Sequence, residues 1–186
     1  MKIDVHILNK LNDKYLTCKS KHYTHLKAAE YYKNLYVKTT VPIIICSSIT
    51  TILASFNGNF ISASFAIIVA VFSGLTTIGQ ALISFLEYNT KYDMHINSSN
   101  RFITLARYIE TEVYTNYYSI KKSTEEEDYM FIKTLLEKIQ KEFGTIQNVE
   151  PYIPRKIQNT SYKNVKCGTS NIEENLFDEK DIGNMA

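Results

Sequence analysis

Cys18-x3-His22-x2-His25 is the densest group of nucleophilic and metal-ligating side chains in these 186 residues. On a helix, offsets of four and seven put the thiol and both imidazoles on one face. Thiolate with imidazole is a donor set suited to a soft transition metal. No fourth ligand stands nearby in the sequence, and the same positions serve equally as fillers of an amphipathic seam. No metal is therefore expected. His95 stands alone, and is expected to be a packed or hydrogen-bonded interface histidine rather than a proton switch. The chain has no glycine-rich phosphate loop, no Ser-His-Asp order with supporting context and no paired metal-binding helix motif. No catalytic residue and no cofactor are assigned, and the chain is not expected to be an enzyme.

The elements that would position these residues are helices. Leu8, Leu11, Tyr15, Cys18, His22, His25, Ala29, Tyr32 and Tyr36 recur at spacings of three and four, a heptad-type stripe over residues 1–38. A second stripe runs through Tyr92, Ile96, Ser99, Ile103, Ala106, Val113 and Tyr117, with Glu110 interrupting it. Ser123-Thr124-Glu125-Glu126 reads as a capping box. The helix it opens carries Tyr129, Ile132, Leu136, Ile139, Phe143 and Ile146 on one seam, and Gly144 weakens its end. Residues 87–146 thus read as a helical hairpin. Beyond Gln147, Pro151 and Pro154 stop any helix. Residues 147–186 are expected to be mostly extended or disordered, with Ile172, Leu176 and Phe177 making one short docking turn.

Between the stripes, Thr39 to Leu86 contains no charge and no histidine. Asn57-Gly58-Asn59 divides it into 18 residues (39–56) and 27 residues (60–86). A hydrocarbon core about 30 Å thick takes about 20 residues of helix, so both pieces reach across. A hairpin buried in a soluble bundle would show charge on the face that meets water, and here no face has any. The second span holds fourteen Phe, Ile, Leu or Val residues and inserts unaided; the first holds eight, with seven Ser or Thr, and follows its partner. Pro42 is expected in the first turn of its span, where a missing N–H costs little. The expected fold class is an all-α membrane protein, a two-helix transmembrane hairpin whose long cytosolic helices form an antiparallel bundle.

Ser62, Ala66, Ala70 and Gly74 recur every four residues and would let helix backbones approach closely. Ser47, Thr51, Ala54 and Ser55 make a comparable face on the first span. A sharper reading has part of this hydroxyl surface lining a pore between copies, with Ser47, Thr51, Thr76, Thr77 and Gln80 along it. Five lysines (19, 21, 27, 33 and 38) precede the first span, and Lys91 and Arg101 follow the second. Both termini are therefore expected in the cytosol. Tyr36, Lys38, Tyr88, Lys91 and Tyr92 are placed as interface anchors. The second span is expected to continue through Ser84–Tyr88 into the next helix without a break.

A net charge of +2 gives no nucleic-acid footprint. Residues 1–38 carry eight Lys and three acids, which suits an anionic membrane surface. The expected partners are the lipid bilayer, further copies of the chain and a protein bound through the cytosolic helices. Cys18, Cys46 and Cys167 form no disulfide framework. Residues 1–38 have no apolar core of a cleavable signal. The sequons at Asn97 and Asn159 fall on the cytosolic side and are expected to be unmodified.

Tyr31-Tyr32 before the first span, Pro42-Ile43-Ile44-Ile45 opening it, the Asn57-Gly58-Asn59 turn, and Tyr88, Lys91, His95 and Leu105-Ala106-Arg107-Tyr108-Ile109-Glu110 after it form one pattern. From about Tyr31 to Phe143 it resembles the SLATT family, two-transmembrane effector domains associated with nucleotide-sensing systems, with viral and eukaryotic copies. The resemblance implies a pore-forming or membrane-perturbing effector triggered by a sensor. These residues leave no room for a sensor domain. A standalone copy would be a channel-like subunit, a membrane-remodelling factor or a viral envelope component.

Overall fold

The computed structural model describes residues 5–55, 63–120 and 125–158. They are all-helical: α1 (Val5–Ser55), α2 (Ala63–Leu86), α3 (Tyr88–Ile120) and α4 (Glu125–Asn148). The Asn57-Gly58-Asn59 turn, Ser62, the capping residue Ser123 and the Ile172–Phe177 turn lie outside the described residues. Two compact units are present, one of Met1–Ala28 with Met94–Ala186 and one of Ala29–Asp93.

α1 is a single helix of 51 residues, so no structural boundary separates 1–38 from 39–56. Pro42 is accordingly deep inside α1 and not in a first turn. Its ring removes the bond a backbone N–H would give Lys38. α2 and α3 are separated by one residue. Glu87 has φ 49°, the left-handed region, and this breaks the continuous helix that the sequence suggests. A non-glycine residue there costs roughly 1–2 kcal/mol. Helical bonds survive on both sides (Glu87 N to Ile83 O, 3.2 Å; Lys91 N to Glu87 O, 3.0 Å). The Lys91 ammonium adds a bond to the carbonyl of Leu86 at 2.9 Å.

The first unit has a continuous core: Leu11, Tyr15 and Cys18 from α1, Phe102, Leu105, Ala106, Ile109 and Val113 from α3, and Ile132, Leu136, Ile139, Phe143 and Ile146 from α4. The α1 and α4 stripes follow the sequence reading, except that Leu8 is undescribed. The α3 stripe follows it in part, since Ser99, Ala106 and Val113 are buried as expected. Its most buried line is His95, Ser98/Ser99, Phe102, Leu105/Ala106, Ile109 and Val113, while Ile96 and Ile103 are only half-buried. Gly144 does not end α4, which runs on to Asn148.

In the second unit, α1 meets α2 at Gly79. A Cβ built there would stand 2.6 Å from Cδ1 and 2.7 Å from Cγ1 of Ile43. The less exposed residues of α2 (Val69, Phe72, Thr76, Gly79, Ile83 and Leu86) recur at three and four, as a helix–helix seam requires. Ala66 and Ala70 are exposed, and a Cβ on Gly74 would meet nothing within 4 Å. The small-residue stripe is therefore not the seam of the hairpin.

Candidate functional site

Two features of the described residues carry chemistry: the outer surface of the α1–α2 hairpin and a buried polar node in the first unit.

The hairpin surface is apolar and open. Ile44, Ile45, Ile49 and Ile52 on α1, and Ile67, Ile68, Val71, Leu75, Ile78, Leu82 and Phe85 on α2, are exposed, Phe85 by 83%. Monomeric soluble proteins rarely expose so large a contiguous apolar surface, which marks a face covered by protein or lipid. Both helices are long and apolar enough to cross a membrane. Several of their hydroxyls bond back to the helix, whereas Oγ1 of Thr40 is buried without a hydrogen-bond partner among the described residues. Thr51 donates to Ser47 O, Thr77 to Ser73 O, and Thr76 to Phe72 O and Ser73 O, all at 2.8–2.9 Å. The five residues read as a pore lining do not share a surface. Thr76 is buried and Ser47 half-buried, on the sides that meet the partner helix; Thr51, Thr77 and Gln80 face outward. Helical geometry separates them, since Thr76 and Thr77 are about 100° apart.

The proposed anchors divide similarly. Tyr36, Tyr88, Lys91 and Tyr92 are half-buried and Lys38 is exposed. Tyr88 stands 6.4 Å from the Tyr32 ring, and the Lys91 ammonium is taken up by Leu86 O.

The polar node gathers residues from three parts of the chain. His25 on α1 is fully buried, and His95 on α3 is 1% exposed. Their Nδ1 atoms lie 3.0 Å apart. On its other side, Nε2 of His25 donates to Oε1 of Glu150 at 3.0 Å. Lys21 donates to the same carboxylate, 2.7 Å to Oε1 and 3.0 Å to Oε2. Phe102 stacks on His25, with centroids 5.6 Å apart and planes 15° from parallel. Next to this group, Nδ1 of His22 donates to Ser99, 2.7 Å from its Oγ and 3.1 Å from its carbonyl oxygen, and Ser99 Oγ donates to the carbonyl of His22 at 3.2 Å.

The bonds constrain the protons. With Nε2 donating to the carboxylate, a neutral His25 leaves Nδ1 as acceptor, and His95 must donate from its own Nδ1. Only one proton fits between the two nitrogens. Burial first, and then the neighbouring His25, push the imidazole of His95 down to about 4 against the opposing pull of Glu150. Glu150 is pulled two ways. Burial raises its carboxyl, but the bonds from His25 and Lys21 outweigh that and hold it below the usual carboxylate range.

The Cys18/His22/His25 pattern is thus divided among separate tasks. Cys18 lies in the core, where burial pushes its thiol up to about 12 despite Lys14 nearby; it is neither nucleophile nor ready ligand. His22 goes to Ser99, and His25 to His95 and Glu150. Among the described residues no group of three or more His, Cys, Asp or Glu is placed to hold a metal ion.

Glu150 lies in the segment read as mostly extended or disordered. Residues 149–154 are indeed non-helical, but 155–158 form a helical turn, and Ile153 and Ile157 are buried. Pro154 starts that turn by accepting from Ile157 N at 2.9 Å. One sequence signal pointed here: apolar residues at 149, 153 and 157, every fourth position, around a single acid.

No protein-family model, curated protein or solved structure matches the chain.

Proposed function

We propose that this chain is an integral membrane protein that crosses the bilayer twice, keeps both termini in the cytosol, and acts as a subunit of a homo-oligomeric, channel-like or membrane-perturbing assembly similar in plan to the SLATT effectors. The observation that carries the reading is the outer surface of the hairpin, uncharged and apolar but bearing Gln80 with Thr51 and Thr77. Lipid covers the Ile, Leu, Val and Phe residues. It cannot satisfy a carboxamide, whose burial without a hydrogen bond costs several kcal/mol in hydrocarbon. Gln80 is accommodated by polar groups of a neighbouring copy or by water between copies.

Topology has separate support. His25 reaches both His95 and Glu150, which supports a topology with the chain on either side of residues 29–93 on one side of the membrane. The intervening segment then crosses an even number of times, and it has two helices long enough to cross. The lysines of residues 1–38 favour the cytosol for that side. The pairs His22–Ser99 and His25–His95, and Tyr108–Lys138 and Phe102–Phe143, advance along one helix while retreating along the other. That pattern supports an antiparallel cytosolic bundle.

Reconstitution tests the reading. Purified protein in planar bilayers is expected to conduct, and Gln80→Leu is expected to abolish or alter the conductance while both helices still insert. A silent bilayer with oligomers confirmed by native mass spectrometry would instead favour a structural or scaffolding membrane protein, such as an envelope-associated one, whose cytosolic helices mediate assembly. The self-contained core of α1, α3 and α4 residues supports that second reading.

A further inference from the structure

We infer that the groove between α3 and α4 is the docking site of this chain's own acidic segment, residues 172–181, which lie outside the described residues. The groove is an opening of about 510 Å³ within the first unit. Leu105 and Ile146 form its floor, and both belong to the buried core. Arg101 and Tyr108 on α3, and Lys138 and Glu142 on α4, stand around them. Lys138 meets Tyr108, while Phe102, next to Arg101, meets Phe143. Two turns of α3, about 10 Å of helix, separate Arg101 from Tyr108. The two cations therefore mark opposite ends of an apolar floor.

Both cations have bonding capacity to spare. Arg101 is exposed and makes no hydrogen bond or ion pair among the described residues. Lys138 is exposed too. Its ammonium donates to the Tyr108 hydroxyl at 2.7 Å and lies 4.7 Å from the centre of that ring. An ammonium has three donors, so others remain for a carboxylate. Glu142 is the one acid of the lining, and two cations against one acid leave it net positive.

Residues 172–181 have the complementary pattern. Ile172, Leu176 and Phe177 are apolar; Glu173, Glu174, Asp178, Glu179 and Asp181 are acids; Lys180 is the one base. Acids stand before and after Leu176-Phe177, as Arg101 and Lys138 stand at the two ends of the floor. Apolar side chains on Leu105 and Ile146, with carboxylates at the cations, would satisfy both surfaces at once.

The tether permits it. The chain leaves α4 at Asn148, two residues beyond Ile146 of the groove. The described chain ends at Gln158, and residues 159–171 lie between it and Ile172. Extended, they span up to about 45 Å. α4, with 24 residues, is roughly 36 Å long, so the segment reaches any point along the groove. Tethering also makes the encounter intramolecular, with an effective concentration on the order of mM, so that modest contacts suffice.

Photo-cross-linking of the full chain in lipid nanodiscs tests this. Benzoylphenylalanine replaces Phe177, and a mixture of isotopically light and heavy chains separates contact within a chain from contact between chains. Cross-links should fall within one chain, on residues 101–108 of α3 and 138–146 of α4. Raising NaCl from about 0.05 to about 0.5 M should lower the yield several-fold, since the attraction is between exposed charges. Arg101→Glu with Lys138→Glu should lower it roughly tenfold. Adding Glu173→Lys, Glu174→Lys, Asp178→Lys and Glu179→Lys to that pair should restore it. Ile172→Ser with Leu176→Ser should also lower the yield, with every charge in place. Cross-links between chains would make the occupant a second copy and overturn the inference. So would cross-links that map elsewhere, or a yield indifferent to salt and to charge reversal. If the reversed variant does not fold, the map and the salt series of the parent decide. None of these outcomes depends on whether the protein conducts.

Discussion

A single glycine distinguishes two ways of packing the hairpin. The residues that first suggest close approach, Ala66, Ala70 and Gly74, face outward, whereas Gly79 receives Ile43. Gly79→Ala puts a methyl at 2.6 Å from Cδ1 and 2.7 Å from Cγ1 of Ile43, and the isoleucine must turn away. A loss of about 1–3 kcal/mol in hairpin stability is expected, as for other overpacked contacts. Ile43→Ala should recover part of it in a double-mutant cycle measured by unfolding in mixed micelles. Gly74→Ala, with open space around it, should leave hairpin packing unchanged. If Gly74→Ala proved the more damaging change, the seam would run through the small-residue stripe after all. The polar node shows why site residues were only partly legible. His22, His25 and His95 stood out by type, and the helical face of His25 was readable from spacing. The partner that organises them, Glu150, is 125 residues from His25. The apolar residues around it mark the segment, but nothing local marks Glu150, just before Pro151, as the acceptor of a buried imidazole.

At the scale of elements, period was a better guide than residue type. The α1 and α4 stripes were legible because large apolar residues recur on them at three and four, and the core uses Leu11, Tyr15, Ile132, Leu136, Ile139 and Phe143 accordingly. On α3 the apolar Ile96 and Ile103 drew the stripe one position away from its buried line, where His95, Ser98 and Ser99 sit among Phe102 and Ile109. Buried polar residues are admissible there because each finds a partner, and single-sequence patterning has no way to register a partner on another helix. Proline and glycine misled in opposite ways. Pro42 was read in the first turn of its span and lies inside α1; Gly144 was read as weakening the end of its helix, and α4 runs on to Asn148. Gly144 has helical neighbours and open space beside it. Gly144→Ala should therefore stabilise the bundle by about 1 kcal/mol, through lower backbone entropy in the unfolded chain. Thermal unfolding of the detergent-solubilised protein, followed by circular dichroism, would register this as a higher midpoint. A lower midpoint would mean that α4 needs glycine at that position for a contact with another chain.

The whole molecule pairs a unit with a buried apolar core and a hairpin whose apolar side chains are exposed. One unit hides its apolar side chains among α1, α3 and α4, while the other turns Ile45, Ile52, Ile67, Leu75, Ile78 and Phe85 outward. The bonds of His25 to His95 and Glu150 close the first unit on itself, which supports residues 29–93 leaving and returning on one side. Zero crossings or two would satisfy that closure, and the uncharged stretch from Thr39 to Leu86 favours two. Cys18 is a poor reporter of sidedness, because it is fully buried and its thiol is pushed up to about 12. Single cysteines at the exposed Lys10 and Tyr152, and at Asn57 between the two apolar pieces, in a chain lacking the native three, are better placed. The decisive measurement is labelling of these variants by a membrane-impermeant maleimide in sealed, oriented vesicles. Two crossings should leave Lys10→Cys and Tyr152→Cys reactive from the cytosolic face and Asn57→Cys from the opposite face. Labelling of all three from one face would contradict a membrane-spanning hairpin.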